Sequence, residues 1–203
     1  LPAITELAQD GKWRVRLAII EYVPKLANQL GVLFFNDELL NLCMLWLWDP
    51  VYAIREAAVD NLRALTTVFG SAWAEREIVD RLLNNRVDLP SDRIDYLNFV
   101  IRITCLFAIT QLVPVVEPSV VVAKLLPFLE NLEGDAVPNI RFNIAKLLLV
   151  VGETLAQSSL EKLQTEKLVK TSLVPSLEKL QADADDDVRF FASQSIQEIS
   201  KLF

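Results

Sequence analysis

The sequence predicts an all-α solenoid of about five antiparallel helix pairs in a right-handed superhelical stack. Three observations predict it. A short motif recurs at a nearly constant period. Apolar residues inside the repeating units fall at helical spacing. No stretch shows sustained alternation of the kind a strand needs between hairpin turns.

The motif is anchored on the pairs Val15-Arg16, Ile54-Arg55, Ile101-Arg102, Ile140-Arg141 and Val188-Arg189, spaced by 39, 47, 39 and 48 residues. These steps match the period of HEAT and armadillo arrays. Asp10, Asp49, Asp135 and Asp183 stand five positions before the apolar residue, and Pro2, Pro127 and Pro175 thirteen before it. Three units carry the whole pattern Pro-x7-Asp-x4-[Val/Ile]-Arg. The unit of Ile54 has Asn41 in place of the proline, and that of Ile101 has Asp88 and Tyr96 in place of both. The expected organisation is one HEAT-repeat array over 1–203, divided near 1–33, 34–71, 72–116, 117–156 and 157–203.

Each unit reads as two helices joined by a tight turn. Trp13-Arg14 and Val51-Tyr52 are placed in the turns of the first two units, where side chains need not pack into the stack. In the fourth unit, 124–132 is the first helix, 134–139 the turn and 140–151 the second helix. Ile140, Ile144, Leu147, Leu148 and Val151 there share one face. In the fifth, Leu168, Leu173, Leu177 and Leu180 keep helical spacing. Gly31, Gly70 and Gly152 follow second helices, where a left-handed residue would end them.

The Asp of each turn is expected to cap the second helix by accepting from orphan N–H groups. The Arg six residues later can reach the turn Asp of its own or a neighbouring repeat, making a ladder between layers. Asp10, Arg16, Asp49, Arg55, Asp135, Arg141, Asp183 and Arg189 are therefore read as structural. Trp46, Trp48 and Trp73 are read as core, as are Cys43 and Cys105, two isolated thiols that make no disulfide framework.

Composition limits the chemistry. The chain contains no histidine, which removes Ser-His-Asp and Cys-His catalysis and histidine-ligated zinc. The five glycines form neither G-x-x-x-x-G-K-[ST] nor G-x-G-x-x-G. Asp183, Asp185 and Asp187 match the first ligands of a calcium loop, but Val188 takes the glycine position and Gln194 that of the bidentate Glu. No enzymatic activity, cofactor or metal is expected. A net charge of −7 argues against nucleic acid as partner, and no apolar run is long enough to span a bilayer. The 52% hydrophobic content and mean hydropathy of +0.31 suit a piece of a longer array whose ends expose apolar surface.

The segments KWRVRLAIIEYVPKLANQLGVLFF (12–35), LCMLWLWDPVYAIREAAVDNL (42–62), VPNIRFNIAK (137–146) and DVRFFA (187–192) resemble the scaffold (A) subunit family of protein phosphatase 2A. The resemblance covers essentially the whole chain and would make it repeats eleven to fifteen of a fifteen-repeat horseshoe. It implies a non-catalytic scaffold of the cytoplasm and nucleus whose intra-repeat turns grip the phosphatase catalytic subunit. B-type regulatory subunits would mainly hold earlier repeats, absent from this sequence. By position, Trp13 and Arg14 match the first contact turn, Tyr52 the second, Phe99 and Arg102 the third, and Val137 and Asn139 the fourth. Phe99 lacks the hydroxyl of the Tyr found in animal relatives. That change and the departures over 80–98 and 110–119 imply a fungal-type branch. The alternative of another class is an importin-type transport receptor binding cargo; the segments KWRVRLAIIEY and DPVYAIREAA favour the phosphatase scaffold.

Overall fold

A computed structural model describes residues 2–84 and 94–203, the side chains of 94–98 excepted. Its described residues form helices and turns with no strand, an all-α HEAT-repeat architecture. The positions of Asp88 and of the Tyr96 side chain lie outside the described residues. The chain divides into two compact units, Leu1–Val116 and Glu117–Phe203.

In the first unit, α1 (Pro2–Leu7) precedes the long α2 (Trp13–Leu30). Next come α3 (Val32–Glu38), α4 (Leu40–Trp46) and α5 (Tyr52–Phe69). The short α6 (Ser71–Ala74) runs through a π turn, Glu75–Val79, into α7 (Asp80–Leu83), and α8 (Ile94–Leu112) completes the unit. The long second helices form one layer, α2 against α5 and α5 against α8.

Between the layers sit Ile20, Val23, Phe35, Leu39, Ile54, Leu62, Leu65, Ile78 and Leu82, all at or near zero exposure. Phe69 packs its ring 5.2 Å from Phe35 and 4.8 Å from Trp73. Two buried indoles reach across repeats: Trp46 Nε1 donates to Ala8 O at 3.0 Å, and Trp73 Nε1 to Asn36 Oδ1 at 2.9 Å. Each side chain thus brings its apolar area into the core with its one donor satisfied. Trp48 departs from the core expectation. It follows the end of α4 and is only half-buried. Cys43 and Cys105 are fully buried, and desolvation pushes both thiols up to about 12, so they act as small apolar residues.

The second unit repeats the scheme. The first helix of one pair is built from α9 (Pro118–Val120), a π turn (Val121–Leu125) and α10 (Leu126–Leu132), followed by α11 (Pro138–Ala156). The next pair has α12 (Lys162–Leu168), a π turn (Val169–Leu173) and α13 (Val174–Gln181), followed by α14 (Asp186–Leu202). The two motif prolines of this unit explain the local geometry. Pro127 and Pro175 come second in α10 and α13, just after a π turn. A proline has no N–H to donate and its ring crowds the carbonyl four residues back, so a locally widened helix accommodates it.

Gly31 and Gly70 end α2 and α5 with φ of 79° and 89°, values that side chains with a Cβ avoid. Gly152 does not end a helix. It lies inside α11, where the bare Cα lets Ile199 of α14 pack closely; a Cβ would meet Ile199 Cγ1 at 3.0 Å. No helix among the described residues is long and apolar enough to cross a membrane.

Candidate protein-docking turns

The turns before the second helices share one hydrogen-bonding plan. Asp10, Asp49, Asp135 and Asp183 each accept through Oδ1 from the N–H two residues on, at 2.6, 2.9, 2.9 and 2.9 Å. In all four turns the donor is the residue preceding the helix: Lys12, Val51, Val137 and Asp185. The aspartate therefore closes an Asx turn ahead of the helix and does not cap the helix itself, which corrects the capping expectation. Among the described residues, only α14 has a side-chain cap, and it is Asp185, accepting from the N–H groups of Asp187 and Val188. Two of the aspartates that could have suggested a calcium loop, Asp183 and Asp185, are thus engaged in shaping the turn.

The arginines tie the turns together. Arg16 donates through Nη1 to Asp10 O at 2.7 Å, and through Nε and Nη2 to the two carboxylate oxygens of Asp49 at 2.9 Å each. Arg141 does the same in the second unit, to Asp135 O at 2.6 Å and to Asp183 at 2.6 and 2.8 Å. One guanidinium thereby serves the carbonyl of its own turn and the carboxylate of the next. Arg55 and Arg189 keep the carbonyl half of the plan, donating to Asp49 O at 2.8 Å and Asp183 O at 2.7 Å. Arg189 also pairs with Asp186. The Arg141 guanidinium holds the Asp183 carboxyl below the ordinary carboxylate range, and the pair raises Arg141 in turn.

These bonds place the sequence-derived contact residues. Because Arg16 near the start of α2 grips Asp49 just ahead of α5, the two helices begin side by side. Trp13 and Arg14 are the first two residues of α2, and Tyr52 is the first of α5, so they open the helices and do not lie in the turns proper. Trp13 is half-buried and Arg14 exposed, its guanidinium 4.5 Å from the centre of the indole. Tyr52 is 56% exposed, with the Arg55 guanidinium 5.7 Å from its ring and its hydroxyl 3.4 Å from Glu56. Partial desolvation, then the Glu56 carboxylate, pushes its phenol upward.

Phe99 and Arg102 are both half-buried and lie within α8, one to two turns past its start at Ile94, so neither belongs to a turn. In the second unit Val137 immediately precedes α11 and is half-buried. Asn139, two residues later, is exposed and receives two bonds from Asn143 Nδ2, each 2.7 Å. The first unit thus brings Trp13, Arg14 and Tyr52 to one end of adjacent helices, and the second presents Val137 and Asn139 at the start of α11. Two features, one in each unit, escaped sequence reasoning. One is an aromatic cluster of Phe142, Phe190 and Phe191, with Lys146 Nζ 4.0 Å from the centre of the Phe191 ring. The other is the groove between α5 and α8. The four-residue spacing of Phe142 and Lys146 on α11 could have signalled the first; nothing local signals the second.

Known proteins are similar to this sequence. It is 50% identical over 140 residues to the regulatory A subunit of protein phosphatase PP2A from Saccharomyces cerevisiae, an overlap of 69% of this chain and 21% of that protein. The chain is a relative of the PP2A regulatory A subunits. The Schizosaccharomyces pombe protein of the same description is 44% identical over 59 residues, 29% of this chain and 10% of its own length. Both relatives come from yeasts, in keeping with the fungal-type departures in the sequence. The chain spans about a fifth of the length of the S. cerevisiae protein. No family model matches it. Two engineered proteins of known structure overlap 98% and 97% of the chain, covering 78% and 47% of their own, each at a TM-score of 0.46 and 13% identity.

Proposed function

We propose that the chain is a scaffold segment without chemistry of its own that holds the catalytic subunit of protein phosphatase 2A. The observation that carries this reading is the 50% identity over 140 residues to a yeast PP2A regulatory protein of the A type. Trp13, Arg14 and Tyr52 make the first contacts, Phe99 and Arg102 follow on α8, and Val137 and Asn139 serve from the second unit. Trp, Tyr and Arg are the types most enriched at interface hot spots, and two of these residues stand exposed at helix starts held in place by the Arg16–Asp49 bridge. The metals of the reaction belong to the partner, and B-type regulatory subunits engage mainly other repeats of the full-length protein. The complex on this reading works in the cytoplasm and nucleus.

Calorimetric titration of the chain with the isolated PP2A catalytic subunit tests the proposal, with Trp13→Ala alongside. Binding that the substitution weakens supports it. A folded chain that gives no heat of binding overturns it.

A further inference from the structure

A groove of about 300 Å³ runs between α5 and α8 in the first unit. Its floor is apolar, built from Val59, Ile103 and Phe107, and Phe107 remains 39% exposed although it belongs to a long helix packed on its neighbour. One wall carries Glu56 and Asp60, four residues apart and so on one face of α5. Both are exposed, and among the described residues neither forms an ion pair. The arginines at the two ends are turned toward neutral acceptors and pair with neither carboxylate. Arg55 donates to the carbonyls of Asp49 and Pro50, and Arg63 to Gln111 Oε1 at 3.0 Å. The facing wall from α8 offers Thr104, Thr110 and Gln111, which carry no charge.

The combination is an apolar trough whose lining carries two carboxylates against the single guanidinium of Arg55, a net negative rim. Apolar area left open on one helix face is covered favourably by an apolar side chain. A positive charge beside that side chain would meet Glu56 and Asp60, whereas an acidic one would be repelled. We infer that the α5–α8 groove docks a short peptide segment of a partner protein that carries an aliphatic or aromatic anchor flanked by Lys or Arg. The anchor lies on Val59, Ile103 and Phe107, and the basic flank faces Glu56 and Asp60. Tyr52 forms the end of the trough nearest the helix start, but the inference stands on the groove and not on the phosphatase reading.

The test uses a fluorescein-labelled octapeptide with a Leu-Phe centre and Arg and Lys flanks, titrated by anisotropy into the whole chain. Two controls keep its length: Glu flanks around the same centre, and basic flanks around a Gly-Ser centre. Saturable binding is expected for the first peptide, roughly tenfold weaker for either control. Phe107→Ala, and separately Glu56→Gln with Asp60→Asn, should weaken the first peptide about tenfold while the melting temperature stays near that of the parent. A first peptide that fails to saturate overturns the inference, as does a Glu-flanked or Gly-Ser-centred peptide that binds equally well. Variants that melt normally and bind unchanged overturn it too. None of the peptides derives from a phosphatase, so the outcome is separable from the catalytic-subunit titration.

Discussion

Arg141 grips Asp183 with both arms of its guanidinium, at 2.6 and 2.8 Å, while its remaining nitrogen holds the carbonyl of Asp135. The side chains of the pair are 14% and 11% exposed, so water competes weakly for either. The bond joins residues 42 apart in the chain and links the turn before α11 to the turn before α14. Its contribution should exceed that of an ordinary surface ion pair, because the geometry is bidentate and three donors are used at once.

Arg141→Ala should therefore lower stability by about 1–3 kcal/mol, read by thermal or chemical denaturation. Asp183→Asn should cost a similar amount. The two losses should not add, leaving a coupling of about 1 kcal/mol or more in a double-mutant cycle. Strict additivity would show that the contact contributes nothing as a pair. The same cycle on Arg16 and Asp49, whose geometry is nearly the same, provides an independent repetition in the first unit.

The pair also predicts a pH dependence. The Asp183 carboxyl is held below its ordinary range, chiefly by its hydrogen bonds from Arg141. A carboxyl whose folded pKa is depressed contributes stability that is complete above its unfolded value, near pH 4, and is lost as pH falls through the folded one. The melting-temperature gap between the parent and Asp183→Asn should then be widest near neutrality and narrow steadily below about pH 4. A gap that stays constant into acid would mean that the charge on Asp183 is not what matters.

Gly152 is a packing residue. A methyl group at its Cα would meet Ile199 Cγ1 at 3.0 Å and Cδ1 at 3.2 Å, with Leu173 Cδ2 at 3.6 Å behind. Alanine improves helix propensity by about 1 kcal/mol, but overpacking at a buried contact costs about 1–3 kcal/mol. Ile199 is 1% exposed and has little room to yield, so the steric cost should win. Gly152→Ala should be destabilising, Gly152→Val more so, and Ile199→Val should recover part of the loss in the Ala background. A stabilised Gly152→Ala would show that α14 shifts freely.

How far the sequence carried these points depends on whether a feature is local. The repeat period, the helix pairs and the Asp and Arg positions were legible because one turn geometry demands the same residues wherever it recurs. The dual use of Arg16 and Arg141 was legible only as two alternatives, since spacing along the chain does not say which carboxylate lies overhead. The Asx-turn role of Asp49 resembled a cap because both need an acceptor near a helix start, and a shift of two residues decides between them. Gly152 looked like a helix stop because glycine also serves there, whereas the α11–α14 contact explains it. Phe99 and Arg102 were assigned to a turn by their place in the repeat, but α8 already begins at Ile94. The α5–α8 groove arises from packing between helices far apart in sequence, which no pattern on either helix encodes.

The last prediction concerns the helix starts of the first unit. Trp13 holds a half-buried indole with Arg14 stacked on it, and Tyr52 stands 56% exposed at the neighbouring helix start. Exposed aromatic area paired with a guanidinium is already partly ordered, so a partner that covers it loses little side-chain entropy on binding. Trp13→Ala and Arg14→Ala should each weaken catalytic-subunit binding by about 1–4 kcal/mol. Arg14→Lys should recover only part of the loss, because an ammonium lacks the planar face that stacks on the indole. Arg14 and Tyr52 are exposed, so their alanine variants should melt near the parent temperature, in contrast to Arg16→Ala, which removes a rung of the ladder. Affinity measured by calorimetry against melting temperature separates the two classes. Unchanged affinity in both Trp13→Ala and Arg14→Ala would remove the first helix start from the interface, and a loss of affinity in Arg16→Ala without loss of stability would move that arginine into it.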